Sequence, residues 1–324
     1  MTLKKLKHSL KHLPSVLVLL LLVFQSSVTA QQEPEGWQSP FFQDNKLVGK
    51  IWDTHKNAWL SMEQFNRELL QYDYILLGET HTNADHHTLQ AKVINALVKS
   101  GVKPIVVMEM LSIGAWEDQP HTWGKSDELQ ELASMLNDGW PWELYAPILQ
   151  SVVQHRLELH AGNISSDKLH RWSNQQSEEK KQNLLREYFY TNDDFSVLEK
   201  IIIDSHCGHA NQGFIDFMSR AQMRRDRVMT TLLLEKKLPV VFIAGRGHIR
   251  NDYAVPMQLR RGFNETSYLS VAFMPVREGE EDPKEYLQDE SKLYDILYFT
   301  PSHTNEDPCV KFRKQLKNMQ LKHQ

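Results

Sequence analysis

Three short runs of large apolar residues constrain this chain most: Tyr74-Ile75-Leu76-Leu77, Pro104-Ile105-Val106-Val107-Met108 and Val240-Val241-Phe242-Ile243-Ala244. None alternates polar with apolar, as a strand with one wet face does, so each reads as a strand covered on both sides. Such strands belong to a parallel sheet between layers of helices. Between the first two, Leu89, Val93 and Leu97 recur at four-residue spacing and Gly101 closes the helix they define. Strand, helix and strand at this length predict a βαβ unit with a right-handed crossover and a parallel pair.

Each run gives way to polar residues. The first leads into Gly78-Glu79-Thr80-His81, the third into Gly245-Arg246-Gly247-His248, and the second stops on Glu109. The Gly-x-x-His spacing is not rare, since 14 Gly and 15 His in 324 residues give about 0.6 chance matches. Its placement matters more, because open α/β sheets bind ligands beyond the carboxyl ends of their strands. Glu79, His81, Glu109 and His248 are therefore expected around one crevice. They suit a divalent metal held by His81, Glu109 and His248, or general acid/base work in a hydrolase. Taken singly, each histidine also reads as a helix cap or a hydrogen-bonded core residue.

The other elements fill out an α/β fold, a mostly parallel sheet flanked by helices with a small helical subdomain. Lys46–Trp52 reads as an edge strand, Met62–Leu70 as a helix opened by Ser61, and Leu157–Ala161, Tyr268–Phe273 and Tyr294–Phe299 as further strands. Helices are expected over Asp127–Asp138, from Pro141 to Gln154, over Glu178–Tyr190 and over Phe214–Lys236. One domain thus spans residues 31–315, with helical insertions around 112–155 and 165–215 and a tail at 316–324.

The first thirty residues read as something else. Lys4, Lys5, Lys7 and Lys11 precede the apolar run Val16–Phe24, and Val28-Thr29-Ala30 comes after it, which is the layout of a cleaved secretory signal. The run is too short to span a bilayer, which takes about 20 residues. Losing four lysines and no acid takes the formal charge from −4 to −8, which disfavours a nucleic-acid partner. In an oxidising compartment Cys207 and Cys309 are free to pair, and a single bridge is the favoured reading; the alternatives are two free thiols, or a Cys207 that touches the site beside His206 and His209.

Two further residue types bear on chemistry. Arg224, Arg225 and Arg227, around Asp226, suit an anionic ligand such as a propionate if they leave solvent. Tyrosine can ligate haem iron, and Tyr145, beside Trp140 and Trp142, and Tyr253, just past His248, are the candidates; packed residues with bonded hydroxyls are the plainer reading. The chain has no Gly-x-Ser-x-Gly elbow, phosphate loop or His-Glu-x-x-His.

Leu77–His81, Val107–Met110, Ala221-Gln222 through Arg225-Asp226 and Gly247–Pro256, with Leu297–Pro301 and Asp307–Cys309, together resemble the ChaN family of bacterial iron-regulated haem-binding proteins over roughly residues 40 to 315. The resemblance implies a periplasmic protein of haem or iron uptake, serving an outer-membrane haem receptor or another transport partner. It implies haem held in cofacial pairs between two subunits, a homodimer. It gives a tyrosine to the iron, Tyr145 first and Tyr253 second, and gives His81, His248, Arg225 and Arg246 to the propionates. Family members are commonly lipoproteins, and no cysteine stands near Ala30 to accept a lipid. The wider superfamily, with Tiki proteases and erythromycin esterases, implies the competing reading, a metal-dependent hydrolase working through Glu79, His81, Glu109 and His248.

Overall fold

The computed structural model describes residues 36–113, 121–122, 140–173, 178–265, 267–287, 293–307 and 309–314. Among them, nine strands make one sheet: β1 (Ile51–Asp53), β2 (Ala58–Leu60), β3 (Tyr74–Glu79), β4 (Ile105–Ile113), β5 (His121–Thr122), β6 (Glu158–Ile164), β7 (Val240–Gly245), β8 (Tyr268–Pro275) and β9 (Ile296–Thr300). Their spatial order is β2-β1-β9-β8-β3-β7-β4-β6-β5. The six strands from β9 to β6 pair in parallel; β1 and β2 at one edge and β5 at the other pair antiparallel. The fold is α/β with a mostly parallel sheet, as the apolar runs imply.

Several details depart from the sequence reading. The edge strand expected at Lys46–Trp52 is only Ile51–Asp53, with residues 46–49 forming turns, and β2 and β5 have no counterpart in that reading. β3 and β4 are parallel but not neighbours, because β7 lies between them and pairs with both. All three are buried on both faces, so local pattern cannot rank their adjacency. β4 also runs on past Glu109 to Ile113: its ladder with β7 ends at Met108, and its register with β6 shifts between Met108 and Ser112. Glu109 thus stands where the sheet loosens, free of the β7 ladder.

The helices are α1 (Met62–Leu69), α2 (Ala84–Lys99), α3 (Trp142–His155), α4 (Ser166–Ser173), α5 (Glu178–Glu187), α6 (Asn192–Ser205), α7 (Gln212–Leu234) and α8 (Val255–Phe263). α1 opens as its sequence dictates: the Ser61 hydroxyl accepts from the Gln64 N–H at 3.1 Å, and the Gln64 side chain accepts from the Ser61 N–H at 2.7 Å. α2 starts on Asn83, whose side chain accepts from the Asp85 N–H, and ends just before Gly101 at φ +86°.

Alternation along each strand sorts side chains to the two faces. Ile75, Leu77, Val106, Met108, Val241 and Ile243 pack with Phe65 of α1, Leu89 and Val93 of α2 and Ile148 and Val152 of α3. Tyr74, Leu76, Val107 and Phe242 pack with Met229 and Leu233 of α7 and Val255 and Leu259 of α8. Burying each such aliphatic side chain contributes about 1.5–3 kcal/mol, so this double-faced core dominates stability.

A separate cluster, including Leu184, Tyr188, Phe195, Leu198, Met223, Tyr253 and Met257, joins α5 and α6 to α7 and α8. A disulfide links Cys207, just after α6, to Cys309 across 102 residues. Among the described residues no helix is long and apolar enough to cross a membrane. The N-terminal thirty residues, the helix expected at Asp127–Asp138 and the tail at 316–324 fall outside the described residues.

Candidate functional site

β3 and β7 deliver the two histidines side by side, and glycine makes the approach possible. Gly78 pairs with Ala244 and Glu79 with Gly245 at the ends of the two strands. A Cβ on Gly78 would lie 2.4 Å from Ile249 Cδ1, and one on Gly245 2.9 Å from His81 Nε2. The first glycine of each motif thus lets the turn after β7 (Arg246–Ile249) close onto β3.

The side chains beyond these ends form a chain of five ionisable groups. The ring of His81 meets Glu79 Oε1 through Nδ1 at 2.8 Å, while its Nε2 lies 3.9 Å from Glu109 Oε2. His248 meets Asp226 Oδ1 through Nδ1 at 2.6 Å and Glu109 Oε1 through Nε2 at 3.3 Å. Glu109, between them, accepts from the Gly245 N–H at 2.7 Å. Each outer carboxylate is in turn held by a buried phenol: Tyr145 donates to Glu79 at 2.7 Å, and Tyr190 to Asp226 at 3.2 Å. Two carboxylate-oriented imidazoles face one central carboxylate.

Supports lie behind this row. Gln90 of α2 donates to Glu79 Oε2 at 2.8 Å, and His87 Nε2 stands 3.4 Å from the same oxygen. The Thr80 N–H donates to His86 Nδ1 at 2.9 Å, which puts the His86 proton on Nε2, facing Thr300 Oγ1 at 2.9 Å. That pair fixes the turn between Glu79 and His81. Trp140 sets its edge against the His81 ring at 4.8 Å.

The electrostatics arise from burial and pairing. Burial opposes a charge on Glu79, but His87 and the bond from His81 outweigh it and hold its carboxyl below the usual range. Burial likewise opposes a charge on Glu109, yet His248, His81 and the Gly245 N–H pull it down to about 2. Burial would strip His248 of its proton, but Glu109 and Asp226 raise it to about 10. His81 is raised too, by Glu79 and Glu109 against burial. Asp226 shifts upward because its complete burial exceeds the help from His248, and we assign the charge-paired state to the dyad on its 2.6 Å contact. His248 leaves only 8% of its side chain exposed and His81 leaves 35%, so of the two rings His81 is the one open to solvent.

The structure thus brings together Glu79, His81, Glu109 and His248, as their strand-end positions imply. Gln90, His87 and Tyr190 escaped the sequence reading, and Asp226 was read only beside its arginines. Asp226 lies in the charged stretch Arg224–Arg227, which reads as solvated face, yet it is fully buried and pairs with His248. Arg225 is half-buried on α7 outside the histidine row, and Arg246 lies in the turn after β7, donating to the Phe273 carbonyl at 3.0 Å.

Haem, which the resemblance puts here, would need an available phenol if tyrosine is to ligate its iron, and neither candidate fits that part. Tyr145 is wholly buried with its hydroxyl spent on Glu79, and burial together with the Glu79 charge pushes it far above its ordinary value. Tyr253 is sealed in the helical cluster and is likewise pushed up by burial. Both would have to leave their partners and ionise. Nor do the histidines and Glu109 stand as a metal cage: among the described residues no three His, Cys, Asp or Glu side chains are grouped to enclose an ion.

Comparison with known proteins adds a family. The family described as haem-binding uptake, Tiki superfamily, ChaN matches residues 65–259, a span containing both motifs and Glu109. Among solved structures, the fold resembles ChaN of Campylobacter jejuni, described with cofacial haem binding, at 24% identity and a TM-score of 0.63, over 76% of this chain and 95% of that one. An erythromycin esterase mutant in its open conformation aligns at 11% identity and a TM-score of 0.47, over 80% of this chain and 99% of the other. No curated protein matches the sequence.

Proposed function

Because the chain belongs to the ChaN family of haem-binding uptake proteins in the Tiki superfamily, we propose that it is an exported haem-binding protein taking part in haem or iron uptake. The family match over residues 65–259 carries this reading, since it takes in the whole row from Glu79 to His248. The Cys207–Cys309 bridge and the signal-like residues 1–30 support export to the periplasm. Haem supplies a flat aromatic anion with a Lewis-acidic iron. This chain supplies a crevice at the strand ends, walled by Trp140, with His81, its pKa raised against burial by Glu79 and Glu109, at its mouth. We further propose that two copies take up haem together, as the cofacial arrangement of the Campylobacter protein suggests, and pass it to or from a membrane receptor. Titration of the purified mature protein with hemin, monitored by absorbance and sedimentation together, is expected to give a saturable Soret band and a monomer-to-dimer shift. Absence of the band with both ferric and ferrous haem would sink the reading.

One observation favours a second reading, hydrolysis of an ester or amide. An imidazole held at Nδ1 by a buried carboxylate, on a side chain left 35% exposed, is an arrangement for moving protons. Here His81 would pass a proton at Nε2, Glu79 would keep its ring oriented, and Glu109 with His248 would hold a second proton beside it. The geometry supports this acid/base form over a metal-dependent one. Turnover of an aryl ester panel, lost in His81→Ala and unaffected by chelator, would establish it. A panel without turnover, or turnover equal in the variant, would remove it.

A further inference from the structure

A second cavity opens on the same sheet edge, on the other side of the Glu79–His81 turn. It encloses about 470 Å³ and is lined by Thr80, Arg246, Arg277 and His303, with Phe42 and Tyr286 as apolar walls. Thr80 lies between Glu79 and His81, and Arg246 comes directly after the glycine whose N–H holds Glu109, so cavity and histidine row share a wall.

The polar groups on this wall lack partners. Arg246 spends one guanidinium nitrogen on the Phe273 carbonyl at 3.0 Å, and among the described residues no carboxylate pairs with it. Arg246 is half-buried, and a partly desolvated arginine without a counter-charge favours an anion. The Thr80 hydroxyl and His303 Nδ1 are both buried with no hydrogen-bond partner. Neighbouring charges do not fill the need. Arg277 is exposed and engaged by Glu280, Glu278 on the rim is exposed to solvent and does not pair with Arg246, Glu306 pairs with Lys314, and Asp307 accepts from the Cys309 N–H at 2.7 Å. His303 Nε2 stands 2.8 Å from the Thr82 hydroxyl; when it accepts from that hydroxyl, the ring proton sits on Nδ1, a buried atom without a partner beside the cavity.

We propose that this cavity binds an oxyanion, a carboxylate or phosphate group of a small ligand, on Arg246, with Thr80 and His303 as its neutral hydrogen-bond partners. Arginine suits the role because its planar fork meets two oxygens at once. The site stands whichever reading of the histidine row holds.

The test is calorimetric titration of the purified mature protein with inorganic phosphate and, separately, with succinate, at constant ionic strength. Saturable binding of one of the two at one site per chain is expected, and the ion that binds identifies the oxyanion class. Arg246→Gln is expected to weaken it at least tenfold and His303→Phe several-fold. If circular dichroism shows Arg246→Gln unfolded, His303→Phe decides, since that residue lies in the segment after β9 and outside every strand. No saturable binding of either ion, or binding unchanged in the folded variants, would overturn the proposal. Hemin that displaces the bound ion would identify the oxyanion as a propionate; ion binding indifferent to hemin would identify a separate ligand. The Soret band is read independently, so failure of haem binding and failure of the anion site are distinguishable.

Discussion

Glu109 holds a position that neither histidine can replace, because it is the one acid both Nε2 atoms face. Removing its charge takes away the largest contribution that raises His248. Glu109→Gln should therefore lower the His248 value from about 10 by about 1 to 3 pH units, as read by NMR of the ring protons. An unmoved titration would show that Asp226 suffices. The same shifts give stability its pH dependence. With a folded value near 10 and an unfolded one of 6.5, the stabilisation from charged His248 is complete below pH 6.5 and is lost as pH rises to about 10. Glu109, at about 2 against 4.5 unfolded, contributes above pH 4.5 and loses that contribution as pH falls to about 2. Urea midpoints measured from pH 2 to 10 should fall at both ends, and the alkaline fall should be shallower in Glu109→Gln. Gly245 makes a steric case at the same scale: Gly245→Ala puts a methyl 2.9 Å from His81 Nε2, and the ring has Glu79 and Trp140 around it. A cost of about 1–3 kcal/mol and a displaced His81 resonance are expected, whereas a silent substitution would mean that the ring moves freely.

At the scale of elements, the site joins two layers that fold for different reasons. The central strands β3, β4 and β7 were legible in the sequence because each is a closed apolar run, and α1 and α2 because their caps and four-residue spacing are local properties, whereas the short edge strands β2 and β5 were not read. The order of β3, β7 and β4 was not legible, since adjacency depends on which long-range pairing wins and the three runs look alike. Nor was the role of Asp226 legible. A lone acid among three arginines reads as solvated, and only the seating of α7 against the sheet buries it and aims it at His248. The His86, His87 and Gln90 set carried a faint signal, since polar residues share the first turns of a helix that also carries Leu89 and Val93. Tyr190, just after α5, ties the helical subdomain to the histidine row through Asp226 Oδ2. Tyr190→Phe removes that donor and leaves the oxygen buried, which should cost about 1–3 kcal/mol and shift the His248 titration. A stability loss with an unchanged His248 curve would make Tyr190 a packing residue only.

Across the whole molecule, the disulfide ties the segment that lines the second cavity to the end of α6. Cys309 closes the segment that leaves β9, and residues 302–307 of that segment line the cavity, with Ser302 also tied back to Phe41 by a backbone bridge. Anchoring Cys309 to Cys207 closes a loop of about a hundred residues, for which the chain-entropy relation gives about 4.7 kcal/mol. The His81–Glu109–His248 row, in contrast, rests on β3, β4, β7 and α7, whose packing does not involve the bridge. A Cys207→Ser, Cys309→Ser double substitution should therefore separate the two functions. Its urea midpoint should fall by an amount worth up to about 5 kcal/mol, and its affinity for phosphate or succinate should drop with the loosened wall. The His248 titration and the hemin Soret band should stay as they are. Parallel loss of all four would mean that the bridge supports the sheet itself, and that the two cavities behave as one site.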